Sequence, residues 1–135
     1  MTIVYGVQYN EFKVVMNMDD TTEIVENMLL ELRRGTQVLS VLSQLGRPTY
    51  GYSLVQSLEE KRVRIEASTL YPLLRRLEKQ ELLTGEWEVS GTKPRKYYVL
   101  SAKGREVFKR LCGEWLRMVD SMNSLLEGEE KKDGK

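Results

Sequence analysis

The segment STLYPLLRRLEK, at residues 68–79, sets the first limit on the fold of this chain. Four leucines in it follow the i, i+3, i+4, i+7 spacing of a buried helix face: Leu70, Leu73, Leu74 and Leu77. Ser68 is the expected N-cap, which places Pro72 in the first turn, where its missing N–H costs little. The other face is polar and cationic: Thr69, Tyr71, Pro72, Arg75, Arg76 and Lys79. The pattern predicts a helix that leucines hold to a core and that exposes a basic face to solvent.

Further helices are predicted before this segment, and a β-hairpin is predicted after it. One helix begins at Asp20 or Thr21, a second covers about residues 36–45 and stops at GRP, and a third lies in TYGYSLVQSLEEK. Two β-like runs, Thr84–Val89 and Arg95–Leu100, flank SGTKP, whose glycine and proline suit a turn. The expected fold class is therefore mostly α with a small β-hairpin (α+β).

A long C-terminal helix is predicted from its cap, Ser101, to about Leu126. Its apolar residues alternate spacings of three and four, which is the heptad pattern of a coiled-coil seam: Phe108, Leu111, Trp115, Met118, Met122 and Leu125. One short domain has little surface to cover such a helix, so we expect a homodimer through this seam. The alternative is packing against the chain's own N-terminal helix, and the two arrangements are compatible with each other.

The length of 135 residues fits one domain with one modest core. We expect four consecutive parts along the chain. They are an N-terminal extension of uncertain structure (1–20), a helix-and-hairpin domain (21–100), a C-terminal helix (101–127) and a disordered polar tail (128–135). The extension is compatible with an extra strand, a disordered arm or a segment upstream of the real start.

Composition excludes most enzyme chemistry. The chain has no histidine, and its one cysteine, Cys112, cannot form an internal disulfide. There is thus no material for a Cys/His zinc site or a His-based triad, and we expect no cofactor and no metal. The apolar runs are shorter than the roughly 20 residues of a membrane span, so we expect a cytoplasmic protein.

Cations are concentrated in the middle of a chain whose net charge is only +1. Between Lys61 and Arg105 they outnumber carboxylates by 11 to 5. Such a local excess predicts a polyanion partner for one face, and a solvated charged surface is the alternative. Short helices, the last of them basic, followed by a hairpin with a basic tip are the order of a winged helix-turn-helix. That fold places its third helix in the DNA major groove.

Three motifs narrow this fold to one family: TYGY, TLYPLLRRLE and RKYYVL occur in this order. From about Leu32 to Leu126 the chain resembles the PadR family of transcriptional regulators. The resemblance implies a dimeric repressor, often autoregulatory, that binds double-stranded DNA at a pseudo-palindromic operator. In many members a small aromatic or cationic compound releases the DNA. The competing function is a winged-helix module that binds protein without specific DNA binding, and an enzyme is the weakest interpretation.

The resemblance also implies site residues. Those expected to bind DNA lie in the turn motif, on the basic helix and on the hairpin: Tyr50, Gly51, Ser68, Thr69, Tyr71, Pro72, Arg75, Arg76, Lys79, Lys93, Arg95 and Lys96. Tyr71 has the alternative role of only shielding the helix start. On the C-terminal helix, Trp115 and Met118 are the expected contacts for a flat effector, and a plain hydrophobic seam is the alternative.

Overall fold

A computed structural model describes the backbone of residues 11–133 and the side chains of residues 20–128. It contains five helices and three short strands within that range. In chain order these are α1 (Glu11–Arg34), α2 (Gln37–Ser43), β1 (Thr49–Tyr50), α3 (Gly51–Glu60), α4 (Ala67–Lys79), β2 (Leu83–Glu88), β3 (Arg95–Leu100) and α5 (Ala102–Asp133). The predicted class, mostly α with a small β-hairpin, is confirmed. None of these helices is both long and apolar enough to cross a membrane.

The chain divides into two compact units, one up to Gln37 and one from Val38 onward. The first contains α1, which begins at Glu11 rather than at the predicted Asp20 or Thr21. The prediction was wrong because it looked for a capping residue, whereas residues 11–20 contain no glycine or proline that would stop the helix from extending backwards. An extra strand is therefore wrong for residues 11–20, and residues 1–10 lie outside the described part of the chain.

The core of the second unit is formed by α2, α3, α4 and the sheet. Its buried apolar residues are Val41, Leu42, Leu45, Leu54, Leu58, Ile65, Leu70, Leu73, Leu74, Leu77, Leu82, Leu83, Tyr98 and Leu100. All four leucines predicted for the inner face of α4 are in this group, so the periodicity of that segment is confirmed. Burying each of them fully contributes about 1.5–3 kcal/mol, which fixes the position of α4 on the domain.

The sheet has the strand order β1-β3-β2 with antiparallel pairing throughout. The predicted hairpin is confirmed, with Leu83 opposite Leu100 at its base and Glu88 opposite Arg95 at its tip. Strand β1 was not predicted. It has only two residues, Thr49 and Tyr50, so no alternation can reveal it in the sequence.

The start of α4 differs from the prediction. Its N-cap is Glu66, whose carbonyl accepts the N–H of Leu70 at 2.8 Å, and no side chain caps the helix. Ser68 is therefore the second residue of α4 rather than its cap. Pro72 is the sixth residue, beyond the first turn, and it cannot donate to the carbonyl of Ser68. The helix keeps its place despite this missing bond because its leucine face is buried.

A left-handed residue that is not glycine follows the C-cap of both α3 and α4. Arg62 has φ 64° and Glu81 has φ 66°. After α4, the N–H of Leu82 donates to the carbonyl of Leu77 at 2.9 Å, which is the long bond of a Schellman motif. This turn sends the chain directly from the basic helix into β2, so the hairpin stays next to α4.

The start of α5 agrees with the prediction, and its end does not. The hydroxyl of Ser101 accepts the N–H of Gly104 at 2.9 Å, so Ser101 is the N-cap. The helix continues to Asp133 instead of ending near Leu126. A disordered tail from residue 128 is therefore wrong up to Asp133, because glutamate and lysine extend an existing helix without needing apolar contacts. Residues 134–135 lie outside the described part.

Candidate nucleic-acid interface

The outer face of α4 is exposed to solvent. Its exposed residues are those predicted to bind DNA: Ser68, Thr69, Tyr71, Pro72, Arg75, Arg76 and Lys79. Neither Arg75 nor Arg76 takes part in an ion pair among residues 20–128. As far as residues 20–128 are concerned, the donors of both guanidinium groups are therefore open to an external acceptor.

An open cleft of about 820 Å³ lies between the start of α3, the face of α4 and the hairpin, which we call the wing (residues 83–100). Predicted DNA-binding residues from all three elements line it: Tyr50, Gly51, Tyr71, Arg75, Lys93, Arg95 and Lys96. The remaining predicted residues lie on α4 outside the cleft. The structure thus brings residues from positions 50 to 96 of the sequence to one concave surface.

The glycine of the TYGY motif makes room for an aromatic ring. A Cβ atom at Gly51 would lie 2.5 Å from Cε1 of Tyr71 and 2.9 Å from its hydroxyl. Any larger residue would displace that ring from the start of α3. Tyr71 therefore has a packing role, and its partial exposure also leaves it at the surface of the cleft.

Tyr50 is bound to the wing through its hydroxyl and its ring. The hydroxyl donates to Oε1 of Glu88 at 2.6 Å, so the contact between the Tyr50 and Tyr97 hydroxyls takes its proton from Tyr97. The two rings stack with centroids 4.0 Å apart, and the Arg95 guanidinium lies 5.1 Å from the Tyr50 ring. The hydrogen bond to Glu88, followed by that from Tyr97, raises the pKa of Tyr50 well above its ordinary value. The hydroxyl of Tyr50, a residue expected to bind DNA, is therefore occupied inside the protein.

The wing cations differ in their surroundings. Lys93 and Arg95 are exposed near the tip. Lys96 is half-buried, and its Nζ lies 2.8 Å from Oε1 of Glu78 on α4. This hydrogen bond is the main cause that raises the pKa of Lys96, so the ammonium stays charged.

Trp87 was not among the residues predicted from the sequence to form the site. Its side chain is 63% exposed and lines the cleft. Cross-strand pairing places Trp87 opposite Lys96 and Leu83 opposite Leu100 on the same face of the hairpin. The alternation of the strand was a usable signal for that face. It could not show that the face extends beyond the core, so that Trp87 reaches the cleft.

The predicted seam of α5 divides into two parts. Phe108 and Leu111 are partly buried against the domain's own core. The rest of the seam, toward the C-terminus, is exposed: Trp115, Met118, Met122 and Leu125. The apolar face open to a partner therefore begins at Trp115.

Helices α2 to α4 with the hairpin behind them define a winged helix-turn-helix protein, a class that uses one helix and the wing to bind DNA. Residues 38–110 match the profile of the Transcriptional regulator PadR-like family. This span is more than half of the chain, and the chain belongs to that family. Its members are DNA-binding transcriptional regulators and not enzymes.

Solved structures agree with this assignment. The chain is similar to a PadR family transcriptional regulator from Eggerthella lenta, with 52% identity, a TM-score of 0.75, and coverage of 83% of this chain and 97% of that one. A PadR-like transcription factor from Bacteroides fragilis is 34% identical with a TM-score of 0.62, over 73% of this chain and 98% of that one. A PadR-like transcriptional regulator from Bacillus cereus is 27% identical with a TM-score of 0.64, over 71% and 96%.

Proposed function

We propose that this DNA-binding regulator is a sequence-specific repressor that acts as a homodimer in the cytoplasm and leaves its operator when a small molecule binds. The observation that carries the DNA-binding part is the shared cleft of α4 and the wing. Exposed cations stand on both sides of it, Arg75 on the helix and Lys93 and Arg95 on the wing. A duplex that lies against this surface meets positive charge from two elements at once.

The chemistry of each cation suggests its role. Arg75 and Arg76 can each form a bidentate pair with guanine O6 and N7, and Lys79, near the end of α4, suits a phosphate. A further phosphate contact is supported at the N-terminus of α3: no side chain caps it, and Tyr52 and Ser53 next to the buried Gly51 line the cleft there. Helix α4 is thus the reading element, and α3 and the wing hold the DNA backbone.

A gel-shift titration against the region upstream of the protein's own coding sequence tests this function. We expect a shifted complex that survives an excess of random-sequence duplex at moderate salt. A complex that random duplex removes equally well would contradict sequence-specific repression. The absence of any complex with either duplex would favour the alternative, a winged-helix module that binds protein.

The exposed part of α5 supports the homodimer. A pseudo-palindromic operator presents two half-sites, and a two-fold symmetric dimer reads one with each subunit. An isologous pairing of two copies of α5 would cover the apolar side chains from Trp115 to Leu125 on both subunits.

The same segment supports effector binding. The indole of Trp115 is 41% exposed, with the flexible thioether of Met118 also exposed one turn further along. Such a pair stacks on flat aromatic compounds and adapts to their shape. We expect planar aromatic cations to quench the emission of Trp115 in a Trp87→Phe variant. Quenching that persists after Trp115→Phe in the otherwise unchanged chain would place the ligand elsewhere.

A further inference from the structure

The surroundings of the Lys96 side chain are not explained by DNA binding alone. It lies in the RKYYVL motif and was expected to bind DNA, yet its ammonium points to a carboxylate of the protein. The Nζ–Oε1 distance to Glu78 is 2.8 Å, and the side chains are only 23% and 31% exposed. The other ion pairs among residues 20–128 have both partners more than half exposed. Such exposed pairs contribute little, so the Glu78–Lys96 pair is the one expected to constrain the fold.

Two aromatic rings complete the environment of this ammonium. Nζ lies 5.6 Å from the centre of the Trp87 ring and 5.2 Å from that of Tyr98. Both distances are within the range of cation–π attraction. The carboxylate and the two rings together satisfy Lys96 inside the protein, and a move toward a phosphate would break all three contacts.

Gly85 provides the space for the ion pair. A Cβ atom at this position would lie 2.6 Å from Oε2 of Glu78 and 2.6 Å from Cε of Lys96. Both of these atoms are at the far ends of flexible side chains, so alanine would push the pair apart and leave the backbone in place. The link between α4 and the wing therefore depends on a glycine in β2.

The ion pair between Glu78 and Lys96 connects two elements of the proposed DNA-binding surface. Glu78 is in the last turn of α4, and Lys96 is the second residue of β3. The pair joins the basic helix to the wing at the edge of the cleft. It thus restricts how far the wing can move away from α4, and both elements must reach the same duplex together.

From these contacts we propose that Lys96 is a positioning residue that locks the wing to α4 through Glu78 and does not bind DNA phosphate. The inference rests on the proposed DNA-binding function. Its counterpart is Lys93, an exposed wing cation with no ion pair among residues 20–128. Both lysines were expected to bind DNA, and of the two only Lys93 is proposed to contact phosphate.

Salt dependence separates the two roles. Each phosphate contact adds about 0.9 to the slope of log affinity against log salt. We would measure this slope by fluorescence anisotropy, on the tightest duplex selected from a random-sequence pool, for Lys96→Met, Glu78→Gln, Gly85→Ala and the control Lys93→Met. We expect the first three variants to bind roughly five- to tenfold more weakly with an unchanged slope, because all lose the same link. Lys93→Met should reduce the slope by about one.

Two of these variants would behave differently if Lys96 bound phosphate. If Lys96 binds phosphate, Lys96→Met reduces the slope by about one, and Glu78→Gln tightens binding because a competing carboxylate is gone. Either result would overturn the positioning role. Gly85→Ala keeps every charge, so normal affinity for a folded Gly85→Ala protein would also contradict it. A wild-type protein that binds no duplex would overturn the proposed function itself, which is a different outcome from a slope change in one variant.

Discussion

Two glycines, Gly51 at the cleft and Gly85 in β2, leave space for side chains of other elements. Gly51 leaves space for the Tyr71 ring, and Gly85 leaves space for the pair of Glu78 and Lys96. In both cases the neighbour comes from another element, so the requirement is tertiary and not a matter of backbone conformation. Alanine at either position would shift a side chain that lines the cleft or supports it.

The hydroxyl of Tyr50 gives a prediction at alkaline pH. Hydrogen bonds with Glu88 and Tyr97 raise the pKa of Tyr50, so its phenol should ionise late when tyrosinate absorbance is followed. Of the seven tyrosines in the chain, we expect Tyr50→Phe to remove a late-titrating one. As the matched control, Tyr52→Phe should leave the late component of Tyr50 in place. Loss of an early component in Tyr50→Phe would contradict the hydrogen bonding seen in the structure.

The raised pKa of Tyr50 also makes the free energy of unfolding depend on pH. The folded protein keeps the Tyr50 proton at pH values where the unfolded chain has lost it, above about 10. The free energy of unfolding therefore falls as the pH rises beyond that value. Tyr50→Phe should make this decline shallower, although part of it should remain because the pKa of Lys96 is also raised.

Among the elements, those with strong periodicity could be predicted from the sequence. The leucine spacing placed α4, and the β-like runs around SGTKP placed the hairpin to within a residue at each end. Helix ends were less predictable. Arg62 and Glu81 follow their helices in the left-handed conformation, which is usually adopted by glycine, and their residue types do not predict it.

The proposed homodimer interface lies on the exposed part of α5, and a charge placed there should disrupt it. Met122→Glu would put a charge into the proposed interface, and we expect sedimentation to show a monomer that binds a two-half-site operator weakly. Its control is Ser121→Glu, an exposed position on the neighbouring side of the helix. Leu111 is unsuitable for this test because it packs against the domain's own core. A Met122→Glu protein that remains dimeric would move the interface to another surface.

For the molecule as a whole, charge distribution matters more than net charge. A total of +1 leaves the chain nearly neutral, while the cleft between α4 and the wing is lined by four cations from these two elements: Arg75, Lys93, Arg95 and Lys96. Such an arrangement attracts a duplex to one face only.

The residues of the candidate site could be predicted only in part, and their roles could not. Motif order indicated Tyr50, Tyr71 and the wing cations, but not Trp87, which also lines the cleft. The bonds of Tyr50 with Glu88 and of Lys96 with Glu78 join residues 38 and 18 positions apart, and no local pattern encodes such contacts. They turn two expected DNA contacts into internal links.

The central claim is that α4 reads bases and that the wing binds the DNA backbone. It is tested by measuring the affinities of single arginine variants for the operator and for a shuffled duplex of the same composition. If α4 reads bases, Arg75→Ala and Arg76→Ala should each lose about 1 to 3 kcal/mol on the operator and much less on the shuffled duplex. Arg95→Ala, on the wing, should weaken both duplexes alike and flatten the salt slope. Equal losses on the two duplexes for all three variants would show that α4 only grips the backbone, and would contradict sequence-specific recognition by this helix.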